Sequence, residues 1–323
     1  MNRRDALGGV AGAVASTVLG GCAGSHDAPL RVSITGKGES DYRLLFKAAG
    51  IEPDFPLAFS EFQSGHLVIE ALNSGSLDFG GASEIPPVFA LASTIQSFRQ
   101  VGVYHGDVNN QVVLVPRGSQ IRDLAGLKGK RIGYVRATTS QYFLIRMLKS
   151  VGLKWSDIEP VALTVSDGAA AFSQGSLDAW AIYGFPIQRA IATEGARILK
   201  TALGFLSGNY LALAHRDALA DATKSRHIAA YLKLLHKGFA WSSANQGAWA
   251  KIVAEEIGVP VSYVRDQFRR KSASYELRPV TPEAIRSQQT VADVFTGAAL
   301  IPRRVDVRSL WEPRFNSGLA KGT

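Results

Sequence analysis

One tetrapeptide is written twice. Gly75-Ser76-Leu77-Asp78 and Gly175-Ser176-Leu177-Asp178 stand one hundred residues apart, and a proline follows each aspartate eight positions on, at Pro86 and Pro186. The flanks match as well, EALNSGSLD against AAFSQGSLD. In each copy a helical pattern halts at glycine, which tolerates the left-handed backbone of a helix C-terminus. A short strand follows, and then a helix with proline in its first turn. A chain that repeats this corner is predicted to build two similar α/β lobes, one before about residue 112 and one after it. Generic loop chemistry recurring by chance is the competing account, and the repeat by itself speaks of architecture rather than function.

From Leu30 onward, β-branched runs alternate with helical stretches, as αβ units around mainly parallel sheets do. Strands are predicted over Arg31–Thr35, Leu57–Phe62, Phe79–Ala82, Val101–Tyr104, Gln111–Val115, Arg131–Val135, Val161–Val165 and Ala179–Tyr183. Helices are predicted over Ser40–Ala49, Ser64–Asn73, Ser140–Val151, Asp167–Gln174, Ala218–Ala244, Gln246–Ile257, Ser262–Lys271 and Pro282–Thr296. Past about Asn209 the pattern turns almost wholly helical. The expected division is therefore a first lobe of residues 30–112 and 210–323 around a second of residues 113–209.

The first 22 residues read as an export leader. Paired arginines, Arg3 and Arg4, precede an apolar, glycine-rich stretch too short to span a bilayer. It ends in Leu19-Gly20-Gly21-Cys22, which resembles the lipobox of bacterial lipoproteins, where the cysteine is lipidated. An ordinary signal peptide with an accidental cysteine is the plainer alternative, and the arginine pair also resembles a twin-arginine signal with Ala6 in place of its usual Phe. Residues 23–29 then form a tether. Cys22 is the one cysteine in the chain, which excludes a disulfide framework and any cysteine-based metal site. The net charge of +9 raises the question of nucleic acid, but no run of five Lys or Arg occurs. The basic groups are scattered without interleaved aromatic platforms, so the charge reads as a solvated surface and no nucleic-acid partner is expected.

Ligands of open α/β sheets bind beyond the carboxyl ends of the strands. The segments there are Gly36-Lys37-Gly38-Glu39-Ser40, Gln63-Ser64-Gly65 and Ala82-Ser83-Glu84 in the first half, and Ala137-Thr138-Thr139-Ser140, Ser166-Asp167-Gly168 and Tyr183-Gly184-Phe185 in the second. Small residues and hydroxyls dominate. Each loop alone reads as a plain helix N-cap; together they read as a shared cleft that offers amide and hydroxyl donors at positive helix ends to an oxyanion. A sulfonate suits it, being singly charged at any physiological pH, with Lys37 and Arg136 close in sequence should a cation be required.

Glu61–Ala90 (EFQSGHLVIEALNSGSLDFGGASEIPPVFA), Val113–Ser140 (VLVPRGSQIRDLAGLKGKRIGYVRATTS), GSLDAWAIYGFP, GARIL and LIPRRVDVRSLW together resemble the aliphatic-sulfonate, taurine and nitrate group of ABC-transporter substrate-binding proteins. The likeness runs from about residue 30 to 313. It implies a type II periplasmic-binding-protein-like α/β fold, with two hinged lobes, a helical C-terminal region and closure sensed by a permease and ATPase complex. A monomer is expected, held to the membrane through lipid on Cys22 as the lipobox-like ending of the leader implies. By the same resemblance the ligand-binding positions are Gly38, Ser40, Ser64, Gly65, Ser83 with Glu84, Thr138, Thr139, Ser140 and Tyr183, and neither cofactor nor metal is expected. Several residues depart from the family pattern: Tyr183 stands where Trp is usual, Gly184 where Asp is common and Ala137 where Gly is, and Lys37 and Glu39 make the first loop more charged than is typical.

The segment Gly80–Pro87 also echoes sulfinate desulfinases, whose nucleophile is a cleft cysteine. No cysteine follows residue 22, so thiolate attack is excluded. Among six histidines, His66 alone follows a loop of interest, and no nucleophile or orienting partner accompanies it. The reading is a binder. An enzyme working on a sulfur oxyanion without cysteine, and a nitrate or carboxylate receptor, stay open as alternatives.

Overall fold

A computed structural model describes residues 28–320; the leader, Cys22 and most of the tether lie outside the described residues. The strands are β1 (Leu30–Thr35), β2 (Leu57–Phe62), β3 (Phe79–Ser83), β4 (Phe98–His105), β5 (Gln111–Val115), β6 (Arg131–Tyr134), β7 (Glu159–Ala162), β8 (Ala179–Tyr183), β9 (Arg197–Thr201), β10 (Asn209–His215) and β11 (Glu276–Arg278). They form two sheets, ordered β11-β4-β10-β3-β1-β2 and β7-β6-β8-β5-β9. With β11 set aside, the two orders superpose: β2-β1-β3-β10-β4 answers β7-β6-β8-β5-β9. In each, the fourth strand runs antiparallel to both neighbours. That strand is the one the chain delivers after crossing between sheets. The crossings occupy residues 106–110 and 202–208, slightly ahead of the boundaries expected at 112 and 209.

Helices α1 (Tyr42–Ala49), α2 (Gly65–Asn73) and α3 (Ile85–Ala92) belong to the first sheet, and α4 (Thr139–Ser150), α5 (Val165–Ser173) and α6 (Pro186–Glu194) to the second. The chain then adds α7 (Arg216–Ala220), α8 (Ala222–Ala244), α9 (Gln246–Ile257), α10 (Val261–Arg269), α11 (Pro282–Gly297) and α12 (Asn316–Leu319). One apolar core of the first lobe joins α1 and α8–α10 to the sheet, and a second packs α2, α3 and α11 on it. The other lobe is filled by Phe143, Leu144 and Met147 of α4 on one side and by Phe172 and Trp180 on the other.

The repeated aspartate turns out to be a strand clamp. Asp78 takes the Arg31 N–H on Oδ2 at 3.0 Å and gives its own N–H to the Arg31 carbonyl at 2.9 Å. One hundred residues on, Asp178 does the same with Arg131, at 2.8 and 2.9 Å. Gly75 and Gly175 both sit at φ 71°, the helix-ending conformation that favours glycine.

Three strands depart from the sequence expectation: β9, β10 and β11. In β10 the run Asn-Tyr-Leu-Ala-Leu-Ala-His is rich in helix formers, but it is paired on both edges and four of its residues are buried, so tertiary pairing overrides propensity. The strand predicted over Val161–Val165 ends at Ala162, because Thr164 caps a helix: its Oγ1 accepts the Asp167 N–H. The single helix expected over Ala218–Ala244 is broken at Asp221, which is extended and whose carboxylate accepts the Thr223 and Lys224 N–H groups. Among the described residues no helix is long and apolar enough to cross a membrane.

Candidate cleft between the lobes

Residues from both lobes line one cleft of about 170 Å³, close in size to the ~150 Å³ hollow that accommodates benzene in an engineered protein. Asn110, the last residue of the first crossing, and Gln111 and Tyr210, at the starts of the strands that follow the two crossings, are part of its lining. Ser166 Oγ reaches Gln63 Oε1 at 3.3 Å from one lobe to the other.

The first lobe presents the start of α2. Ser64 is its N-cap residue by backbone, yet its side chain caps nothing; Oγ lies 2.9 Å from His66 Nδ1 instead. The N–H groups of the first turn, from Gly65 on, therefore have no side-chain acceptor, and they carry the positive end of the helix dipole. Gly65 is required by space: a Cβ there would stand 3.0 Å from Ala82 Cβ and 3.2 Å from Pro86 Cγ. His66 is partly buried, and that desolvation lowers its pKa from 6.5, which favours the neutral imidazole.

The second lobe presents the start of α4. Ala137 turns the chain in the left-handed region at φ 55°. Thr138 accepts the Ser140 N–H and donates its proton to the Val135 carbonyl at 2.7 Å. Thr139, next in line, brings to the cleft a hydroxyl that no neighbouring group engages. Tyr183 also lines the cleft. Its hydroxyl makes no hydrogen bond of ordinary geometry, and desolvation raises its pKa strongly although the Thr138 side chain is close enough to oppose this a little.

Opposite these donors stands an aromatic wall. Tyr42 and Tyr104 each meet Phe239 edge-on at 6.0 Å, Tyr275 lies 6.0 Å from Phe239, and Tyr210 is 6.1 Å from Tyr275. Phe185, from the second lobe, lies against Gly36, with ring carbons 3.7 Å from where a Cβ would be. Glu39 lines the cleft too, tied to Lys271 and Gln267. Burial raises its pKa, and the Lys271 ammonium pulls the other way.

Of the residues expected to hold the ligand, the structure brings Gly38, Ser40, Gly65, Ser83, Thr138, Thr139 and Tyr183 to this cleft. It does not bring Ser64, Glu84 or Ser140. Ser64 is turned onto His66, and the Ser140 hydroxyl is consumed by the Val135 N–H at 2.9 Å. Gly38 needs a narrower correction: it lines the cleft, but its N–H is committed to Glu256 Oε2 at 2.7 Å. Glu84 faces the second crossing, where Ser207 donates to Oε2 at 2.5 Å and Asn209 to Oε1 at 3.4 Å. Burial pushes its carboxyl up to about 7, against the pull of Ser207, Ser287 and Asn209. Tyr104, Gln111, Tyr210, Phe239 and Tyr275 went unnoticed in the sequence. Three of them sit on β10, on β11's approach or on α8, in the stretch that reads as uniform helix; the alternation of Asn-Tyr-Leu-Ala was the one available signal.

The family model described as NMT1/THI5 like matches residues 45–246. An Escherichia coli (strain K12) protein provisionally named an aliphatic sulfonates-binding protein is 33% identical over 265 residues, covering 81% of each chain. Two solved structures share the architecture. The periplasmic aliphatic sulphonate binding protein SsuA from Escherichia coli is 30% identical with a TM-score of 0.74, over 88% of this chain and 97% of that one. The alkanesulfonate-binding protein SsuA from Xanthomonas axonopodis pv. citri, bound to MOPS, is 29% identical with a TM-score of 0.77, over 89% and 99%.

Proposed function

The chain belongs to the NMT1/THI5-like family, and from that premise we propose that it is the solute-binding receptor of an ABC importer, capturing an aliphatic or related organosulfonate between its lobes. The observation that carries this reading is the meeting, in one hollow, of the uncapped start of α2 with the Thr139 and Ser83 hydroxyls, beside a wall of aromatic rings. Neutral donors at a helix end suit a permanent monoanion. The rings suit an organic remainder.

On this reading Ser40, Gly65, Ser83, Thr139 and Tyr183 touch the ligand, while Thr138, its hydroxyl spent on the Val135 carbonyl and the Ser140 N–H, caps α4, and the lobes close over the ligand in a form recognised by a permease and ATPase complex. Micromolar affinity corresponds to about 8 kcal/mol, within reach of a few charge-assisted hydrogen bonds plus burial of the tail. Residues 1–22 export the protein, Cys22 takes a lipid, and the mature receptor works outside the cytoplasm as an anchored monomer.

A thermal-shift series tests the reading. Short alkanesulfonates should raise Tm clearly, since a ligand at a hundred times its Kd adds about 2.7 kcal/mol to folding, whereas sulfate, nitrate and acetate should do much less. A larger shift with nitrate or a carboxylate would reassign the ligand. Sulfite released from an incubated sulfonate would make the protein an enzyme.

A further inference from the structure

Three polar atoms of the cleft lining have no partner; besides the Tyr183 hydroxyl already described, those of Gln111 and Tyr104 say something about the ligand's tail. Tyr210 Oη lies 3.0 Å from the Asp107 carbonyl oxygen, which can only accept, so the phenol gives its proton there. The Gln111 group that meets Tyr210 Oη must then be the amide N–H₂, and the choice of rotamer is fixed by that chain of donors. Gln111 Oε1 is left as an acceptor with nothing donating to it. Tyr104 Oη is likewise without any partner. Both residues are 3% exposed, both line the cleft, and no solvent reaches either atom.

Such orphans are costly in a folded protein, and native interiors contain few of them. Tyr104 and Tyr210 are directly opposed on β4 and β10, and Gln111 opens β5, so the unpaired atoms belong to the rigid ends of sheet strands. Tyr104 meets Phe239 edge-on, and Tyr42 and Tyr275 pack on the same ring. The Glu39 carboxylate accepts from Lys271 and Gln267 and has no proton to give, so it does not supply the missing donor.

Resting on the sulfonate reading above, we propose that Gln111 and Tyr104 select organosulfonates whose tail carries an N–H or O–H donor, and discriminate against plain alkyl chains. The lobes part to admit any ligand, and as they close on one with a donor, Gln111 Oε1 gains the hydrogen bond it lacks while Tyr104 Oη donates to or accepts from the same group. A plain alkyl tail closes the cleft with both atoms still orphaned. An ammonium would gain further from the ring faces, a hydroxyl would not, and the two can be told apart.

The experiment is calorimetric titration of the full mature chain with matched sulfonates of two, three and four carbons: the unsubstituted alkanesulfonate, its ω-hydroxy form and its ω-amino form. At the length that fits, a donor-bearing tail should bind about tenfold more tightly than the plain one. Gln111→Leu and, independently, Tyr104→Phe should each bring that ratio toward one, the second variant keeping the test alive if the first fails to fold. Equal binding of plain and substituted tails, or a preference that survives in both variants, would overturn the proposal. Failure of every sulfonate to bind would instead remove the receptor reading, and this inference with it.

Discussion

The two lobes are built on one plan at an offset of one hundred residues, and they differ where the plan meets its surroundings. At the strand-to-helix contact beneath each repeated corner, the first lobe pairs Gly80 with Val68, whereas the second pairs Trp180 with Gly168. A Cβ on Gly80 would come within 2.6 Å of Val68 Cγ1, and one on Gly168 within 2.8 Å of the Trp180 indole nitrogen. Large and small have traded places between strand and helix, and the large partner has grown from valine to tryptophan, so what is kept is a glycine pressed against a bulky side chain. What repeats is backbone geometry; side chains are free to redistribute if each pair still fills its space.

The largest effect should come from breaking that trade. Trp180 is 1% exposed, and Trp180→Ala should cost about 3–5 kcal/mol through lost burial and an unfilled cavity. Gly168→Ala alone should destabilise by about 1–3 kcal/mol because its new methyl strikes the indole. In the Trp180→Ala background the same change should be harmless or helpful. Denaturant melts of the four proteins give the coupling directly, and simple additivity would show that the two positions are not a packing pair.

The clamps differ in burial. Asp78 is 2% exposed and carries Arg31 and the Lys224 ammonium of α8, at 2.7 and 2.8 Å, while half-buried Asp178 holds a backbone N–H. Asp78→Ala should cost about 3 kcal/mol and Asp178→Ala about 1 kcal/mol. Equal losses would mean that the strand clamp, not the ion pair, is what matters. Burial alone would raise the Asp78 carboxyl, but Arg31 and Lys224 hold it at about 2 against the ordinary 3.8. A depressed pKa gives stability that is present above the ordinary value and lost as pH falls toward 2. Acid unfolding of the Asp78→Ala variant should therefore be shallower in that window.

A third contrast lies at position 84, whose counterpart is Gly184. With its carboxyl raised to about 7 from 4.5, Glu84 binds a proton more tightly folded than unfolded. Its contribution is fully present below the unfolded pKa and lost as pH rises through about 7. Stability should fall between pH 5 and 8 by on the order of 2 kcal/mol, and Glu84→Gln should remove that slope. A slope unchanged in the variant would place its origin elsewhere.

The helix starts differ too. Thr164 caps α5 and is followed by Val165, whereas α2 begins uncapped at Ser64–Gly65. Gly65→Ala should weaken binding of a short alkanesulfonate by about tenfold, near 1.4 kcal/mol, by pushing α2 off Ala82 and Pro86. Val165→Ala should change it little. The reverse ranking would move the anion seat to the other lobe.

How much of this was legible depended on the kind of signal. The corner was plain in the sequence because glycine at φ 71° and proline in a first turn are local requirements written in single residues. Gly65, Ser83 and Thr139 were legible for the same reason, as small residues beside helix starts. Tyr104, Gln111 and Tyr210 were not, since they meet through β10, a strand whose Leu-Ala run follows helix propensity until two neighbours claim its edges. Ser64, Ser140 and Glu84 stand beside the cleft but not in its lining, because the direction of each hydroxyl or carboxyl is decided by His66, Val135 and Ser207, which no spacing rule announces.

The smallest effect concerns the loops after β1 and β6. The first reaches its left-handed turns with glycine, at Gly36 and Gly38, φ 74° and 75°; the second does so with Ala137 at φ 55°. An alanine methyl in that region costs about 1–2 kcal/mol, offset by the roughly 0.4–1 kcal/mol that alanine saves in the entropy of the unfolded chain. Ala137→Gly should thus stabilise the protein by no more than about 1 kcal/mol, because the Ala137 N–H bond to Gln141 Oε1 at 2.8 Å is backbone-made and survives the change. A rise in the denaturation midpoint without loss of sulfonate affinity would show that the strain is merely tolerated. A rise accompanied by weaker binding would show that alanine keeps the α4 seat in position for Thr139, and that the second lobe accepts strain at the place where the first uses glycine.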